Sequence, residues 1–143
     1  QDTARVNQLI AGALRSGDVF AVFPEGTTTD GSAVLKFHAS LLEPAVEAGA
    51  AIQPVAIRYE RSDGTLCTEA AYEGGRSLWD VLMAMTSQHE ILAHVCFLDP
   101  IIPDARHRRH IAEEARNAIL RTLFPEESRT RSDTEVDLRA AVR

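Results

Sequence analysis

Five apolar residues in a row, Val19-Phe20-Ala21-Val22-Phe23, stand directly after a stretch of helical period and directly before a loop rich in glycine and threonine. The run is too short for a helix of its own, and its β-branched and aromatic residues mark it as a strand. A strand without a polar side must be covered on both faces, as in a parallel sheet held between helices. That requirement constrains the rest of the chain more than any other feature.

The flanking patterns fit it. Val6, Leu9, Ile10, Ala13 and Leu14 recur at the spacing of an amphipathic helix over residues 2–15, which Asp2 or Thr3 can cap and Gly17 stops. Residues 38–48 carry Leu41, Leu42, Ala45 and Val46 and end at Gly49, with Pro44 kinking or restarting that helix. Ile52 to Tyr59 reads as a second buried strand, with Pro54 near its start, followed by a turn at Arg61 to Gly64 and a further strand over Leu66 to Tyr72. Ser77-Leu78-Trp79-Asp80 opens a helix with a capping box, Glu90 to Leu98 is another strand closed by Asp99-Pro100, and a last helix from Asp104 uses Ile111, Ala115, Ala118, Ile119 and Leu123. This alternation predicts an α/β domain with a mostly parallel sheet and flanking helices over residues 1–124. Residues 126–143 hold five acids and four arginines and read as a charged, solvated tail from 125 onward.

Composition removes several classes of function. The 143 residues carry a formal net charge of -6, which argues against a nucleic-acid partner bound through a basic face. Two cysteines, Cys67 and Cys96, are too few for a disulfide scaffold and fit a reducing compartment; both read as buried thiols. No run approaches the roughly 18 apolar residues of a membrane-spanning helix. His107 and His110, with Glu113 and Glu114 beyond them, have a spacing that can hold a metal. Arg106, Arg108 and Arg109 in the same turn disfavour a cation, so the cluster reads as a solvated helix face rather than a metal site or a site for anionic lipid headgroups. Trp79, Met83 and Met85 at helical spacing read as core rather than as a lipid-inserting patch.

Chemistry concentrates in the loop after Phe23. Gly26 permits a tight turn, the amides of Gly26 to Thr29 can converge on an anion, and the hydroxyls of Thr27, Thr28 and Thr29 add donors. Glu25 is suited to holding the loop or a cation by accepting hydrogen bonds, and Lys36 supplies a cation at the loop's far end. His38 is placed to cap or line the loop. Its pairing with Glu43 as a catalytic dyad is disfavoured, because five residues of helix turn about 500° and leave the two side chains roughly 140° apart. The alternative reading of the whole loop is a structural turn.

The segment Val22-Phe23-Pro24-Glu25-Gly26-Thr27 resembles the third signature block of the glycerophospholipid acyltransferases, the 1-acylglycerol-3-phosphate acyltransferase family. Ile52-Gln53-Pro54-Val55-Ala56-Ile57 resembles the fourth, in the right order and at roughly the right spacing, and the likeness extends over about residues 1–102. The resemblance implies a glycerol-3-phosphate acyltransferase-like fold and acyl transfer from acyl-CoA or acyl carrier protein to the hydroxyl of a lysophospholipid. It implies Glu25, Gly26 and Thr27 as an acceptor-binding wall with Ile52 to Ile57 supporting the pocket, no metal or cofactor, and a location at the cytoplasmic face of a membrane; Thr28, Lys36 and His38 join the candidate substrate-binding residues from the reading of the loop itself. Two departures matter. Thr28 stands where the family has arginine, and the Asn-His-x4-Asp block that carries the general base is absent. The chain therefore reads as a carboxy-terminal part of such an enzyme, inactive alone and prone to self-association through exposed apolar surface. The alternatives are a non-catalytic module that keeps the fold to bind lipid phosphate or a protein, and an unrelated α/β phosphate-binding domain.

Overall fold

The computed structural model describes residues 2–68, 77–104 and 106–125. In chain order they form helix α1 (Asp2–Arg15), a 3-10 turn (Ala39–Leu42), helix α2 (Glu43–Ala48), strand β1 (Val55–Arg61), helix α3 (Leu78–Thr86), strand β2 (Ile91–Phe97) and helix α4 (Arg108–Leu123). The predicted tail over 126–143 and most of the predicted strand at Leu66 to Tyr72 lie outside the described residues.

Local chemistry accounts for most boundaries. α1 ends where Gly17 adopts φ +95° and the amides of Gly17 and Asp18 donate back to the carbonyls of Leu14 and Ala13. Pro44 lacks the amide that would continue the 3-10 turn as one helix, so the chain restarts there and α2 runs to Gly49, whose φ of +65° closes it. Ser77 and Asp80 form the capping box that opens α3. His107 accepts the amide of Arg109 through Nδ1 and so caps α4, the use the structure makes of a histidine that also matched a metal spacing.

The sheet differs from the expectation. The described sheet has two strands, β1 and β2, paired antiparallel with Val55 opposite Phe97 and Arg61 opposite Ile91. The chain turns at Asp63 and Gly64, bridges back onto β1 through Glu60 and Leu66, and after α3 returns beside β1 in the opposite sense. Val19 to Phe23 forms no ladder with any described strand, and Val19 is 94% exposed. Extended backbone becomes a strand only when a neighbour exchanges hydrogen bonds with it, and no described strand does so here.

Opposed residues of an antiparallel pair share a face. Val55, Ile57, Tyr59, Ala93, Val95 and Phe97 make one apolar face, on which Ile57, Tyr59, Val95 and Phe97 are exposed. On the other, Ala56 is buried, while the carboxylate of Glu60 takes Arg58 on one oxygen at 2.7 Å and His94 on the other at 3.1 Å. Cys96 shares that face and is exposed, contrary to the buried thiol expected; Cys67 is buried.

The core lies under α4. Ile111, Ala112 and Ala115 pack with Val34, Phe37, Leu42 and Ile101, and Ile119, Leu120 and Leu123 extend the contact. α1 packs on α2, tied by Arg15 to Glu47, through a face that buries Ala11 rather than Val6 and Leu9, which are exposed. On α3, Trp79 is 67% exposed, Met83 52% and Met85 38%, which corrects the expectation that these three belong to the core.

Candidate functional site

The loop after Phe23 is folded back on itself and anchored at its far end in the core. Val34 and Phe37 are buried under α4, so the residues between and after them, Leu35, Lys36 and His38, face outward. Two hydrogen bonds tie this outer row to the start of the loop. The amide of His38 donates to the carbonyl of Pro24 at 2.7 Å, and the amide of Leu35 donates to Glu25 Oε2 at 2.8 Å. Glu25 thus holds the loop by accepting a backbone amide, the task its position suggested.

Gly26 sits in the turn between these ties. Its amide donates to the carbonyl of Phe23, and its φ of +71° is a conformation that residues with a Cβ adopt at a cost. A second constraint is spatial: a Cβ on Gly26 would lie 3.0 Å from Cδ2 of His38 and 3.2 Å from its Nε2. The imidazole therefore lies against the turn, and glycine is what lets it lie there. Glu25, Gly26 and His38 are brought together by the fold; Lys36 is exposed two residues before His38, and Thr27 and Thr28 are exposed just beyond the turn.

The second half of the loop is ordered by its own side chains. Thr29 Oγ1 accepts the amide of Gly31, and Asp30 Oδ1 accepts both the amide and the hydroxyl of Ser32 at 2.9 and 2.6 Å. The Ser32 hydroxyl holds the Asp30 carboxyl below its ordinary range. Thr29 is thus engaged within the loop. The stretch from Phe23 to His38 carries two carboxylates, Glu25 and Asp30, against one ammonium, Lys36.

Arg116 is the residue that sequence reasoning missed. From α4 it donates through Nε to the carbonyl of Leu35 at 2.7 Å and through Nη2 to that of Val34 at 2.6 Å, fixing the backbone that carries Lys36. The available signal was its place beside Ala115 on the buried stripe of α4, where an arginine must spend its donors on something nearby. Glu43, the other half of the rejected dyad with His38, is instead ion-paired with Arg108. Among the described residues no group of His, Cys, Asp and Glu could hold a metal ion.

This loop and its flanking helices fall within the stretch that known proteins share. Residues 1–58 match the acyltransferase family model. The lyso-ornithine lipid O-acyltransferase of Pseudomonas aeruginosa is 37% identical over 123 residues, 86% of this chain and 47% of that protein. The enzyme of the same name from Brucella abortus is 33% identical over 127 residues, 80% of this chain and 45% of that protein. The 1-acyl-sn-glycerol-3-phosphate acyltransferase of Neisseria gonorrhoeae is 32% identical over 72 residues, 50% of this chain and 28% of that protein. No solved structure matches. Residues 1–58 thus place the chain with the acyltransferases, and the matched relatives support the glycerophospholipid acyltransferase family; the chain spans less than half the length of these curated relatives.

Proposed function

We propose that this chain carries the acceptor-binding part of an enzyme that transfers an acyl group from acyl-CoA or acyl carrier protein to the hydroxyl of a lyso-lipid. The observation that carries this reading is the folded loop itself, within the region matched by the family model. Glu25 and Arg116 fix its two sides, and the Gly26 turn, the Thr27 and Thr28 hydroxyls, Lys36 and His38 are held on its outer surface. The chemistry is general-base attack of the acceptor hydroxyl on a thioester: the hydroxyl oxygen bonds to the acyl carbon, the thiolate leaves, and the proton passes to the base. The residues described here bind and orient. The family resemblance puts the base in an Asn-His-x4-Asp block, which does not occur in residues 1–143.

Charge selects among acceptors. A phosphate monoester carries about -1.5 to -2 at pH 7 and favours a cluster of cations. This loop carries two carboxylates, Glu25 and Asp30, against Lys36 and the guanidinium of Arg116, whose Nε and Nη2 are spent on the Leu35 and Val34 carbonyls, and it has Thr28 in the place of the family's arginine. A headgroup that brings its own ammonium suits such a loop better. Matches to two lyso-ornithine lipid acyltransferases extend over 80% or more of the chain, against 50% for the acylglycerol-phosphate enzyme, and support the same choice. The acceptor we assign is therefore a lyso-ornithine lipid, with the reaction at the cytoplasmic face of a membrane. Acyl transfer by the full-length protein, with each acceptor and each donor, tests this. Turnover of lyso-ornithine lipid well above that of 1-acylglycerol-3-phosphate is expected, with none from residues 1–143 alone. Preference for the phosphate acceptor overturns the charge argument, and activity of this chain by itself places the base within it, with His38 the first residue to replace.

A further inference from the structure

Arg116 carries a charge that no described carboxylate meets. Arg15, Arg58, Arg106 and Arg108 each pair with a glutamate, whereas Arg116 makes no ion pair with any described residue. It is half-buried on α4 and donates to backbone alone, through Nε to Leu35 and through Nη2 to Val34. Taking a charge even partly out of water costs free energy, and neutral carbonyls offset it less well than an anion does. An arginine has five N–H donors in a planar fork, and these two bonds use one edge of it. They fix the plane, while the edge formed by Nη1 and the second hydrogen of Nη2 meets no acceptor among the described residues. That open edge has the geometry of a bidentate carboxylate site.

A fixed negative charge stands close by. Glu25 Oε2 accepts the amide of the same Leu35 whose carbonyl Arg116 holds, and Oε1 accepts nothing from the described residues. One residue separates the two ties, so Arg116 Nε and Glu25 Oε2 lie within about 9 Å of each other, yet the pair forms no salt bridge. Leu35 thus holds a cation and an anion, each by one edge and each with its other edge open.

We propose that Arg116 is a specificity-determining residue that receives the carboxylate of an amino-acid headgroup on its Nη1 edge, with Glu25 Oε1 taking the ammonium of the same headgroup. This deepens the lyso-ornithine lipid reading and rests on it: ornithine acylated through one of its amines keeps one carboxylate and one ammonium, a short alkyl chain apart. A phosphate monoester brings a partner for Arg116 but none for Glu25, and sets two negative charges near each other.

Equilibrium binding and acyl transfer by the full-length protein, read side by side with lyso-ornithine lipid and its headgroup carboxamide, test this. The unaltered protein should bind the carboxylate form about tenfold or more tighter. Arg116→Gln should bring that ratio close to one. Arg116→Lys, which keeps the charge without the fork, should retain part of it. Loss of loop support alone would weaken both lipids equally, so an unchanged ratio in Arg116→Gln overturns the proposal. So does an unaltered protein that binds both forms alike, a result that needs no variant to fold. A larger loss on 1-acylglycerol-3-phosphate than on lyso-ornithine lipid makes the anion a phosphate and also overturns it. Discrimination through Arg116 without turnover of any lyso-lipid supports the headgroup site and removes the enzymatic reading. Turnover with a carboxylate preference that Arg116→Gln leaves intact does the reverse.

Discussion

At the scale of single residues the site depends on what a missing Cβ permits. Gly26 combines a left-handed backbone with the imidazole of His38 against its Cα, so any side chain there meets two penalties at once. Gly26→Ala should cost about 1–2 kcal/mol from the backbone conformation alone. The strain is relieved in part if the exposed His38 ring swings away, which would leave the loop folded but the wall altered. We expect a lowered denaturation midpoint together with a shifted His38 imidazole resonance by NMR; an unchanged resonance would mean that the ring does not rest on the turn. Glu25 and Arg116 work from opposite sides of the same segment, one accepting the Leu35 amide and the other donating to the Leu35 carbonyl. Glu25's part could be foreseen from its place in the loop. For Arg116 only the need for nearby acceptors was legible; its carbonyl partners are 81 and 82 positions away, and only the packing of α4 brings them near.

At the scale of elements, α4 and the β1–β2 pair make separate predictions. Ile111 is fully buried at the centre of the contact between α4 and the 34–42 segment. Its truncation to alanine should cost about 2–5 kcal/mol. Because Val34 and Phe37 anchor the loop that carries Lys36 and His38, amide exchange across residues 34–38 should accelerate along with the loss of global stability; a loss confined to α4 would uncouple loop from helix. In the strand pair the Glu60 carboxyl lies below its ordinary value of 4.5, first because Arg58 donates to it and then through the nearby charge of His94. A carboxyl depressed in the folded state contributes stability above its unfolded value, and that contribution is lost as pH falls through the folded value. Urea midpoints of the unaltered protein and of Glu60→Gln should therefore differ at pH 7 and converge below about pH 4.5. A constant gap across that range would show that Glu60 acts by packing. Asp30 and Asp63, lowered by Ser32 and Thr65, add to the acid sensitivity in the same sense.

At the scale of the whole molecule the described residues expose three apolar stretches: Val19 to Phe23, the Ile57–Tyr59–Val95–Phe97 face and the outer side of α3. We predict self-association through them. Light scattering should show a mass that rises with concentration, and Val19→Glu with Phe23→Glu should shift it toward the monomer; a concentration-independent monomer would mean that these surfaces do not meet. The sequence by itself determined the elements whose causes are local. Gly17, Pro44 with Gly49, and Ser77 with Asp80 set the ends of α1, α2 and α3, and the Glu25-Gly26-Thr27 turn marked the site. Each of these is a matter of backbone conformation and hydrogen bonds within a few residues. Only the tertiary structure decided that β2 returns antiparallel beside β1, that Val19 to Phe23 pairs with no described strand, and that Trp79 faces outward while Arg116 reaches the loop. Apolar content states that a residue favours burial, but which neighbour covers it is settled by chain segments far away in sequence, and that information is carried by packing.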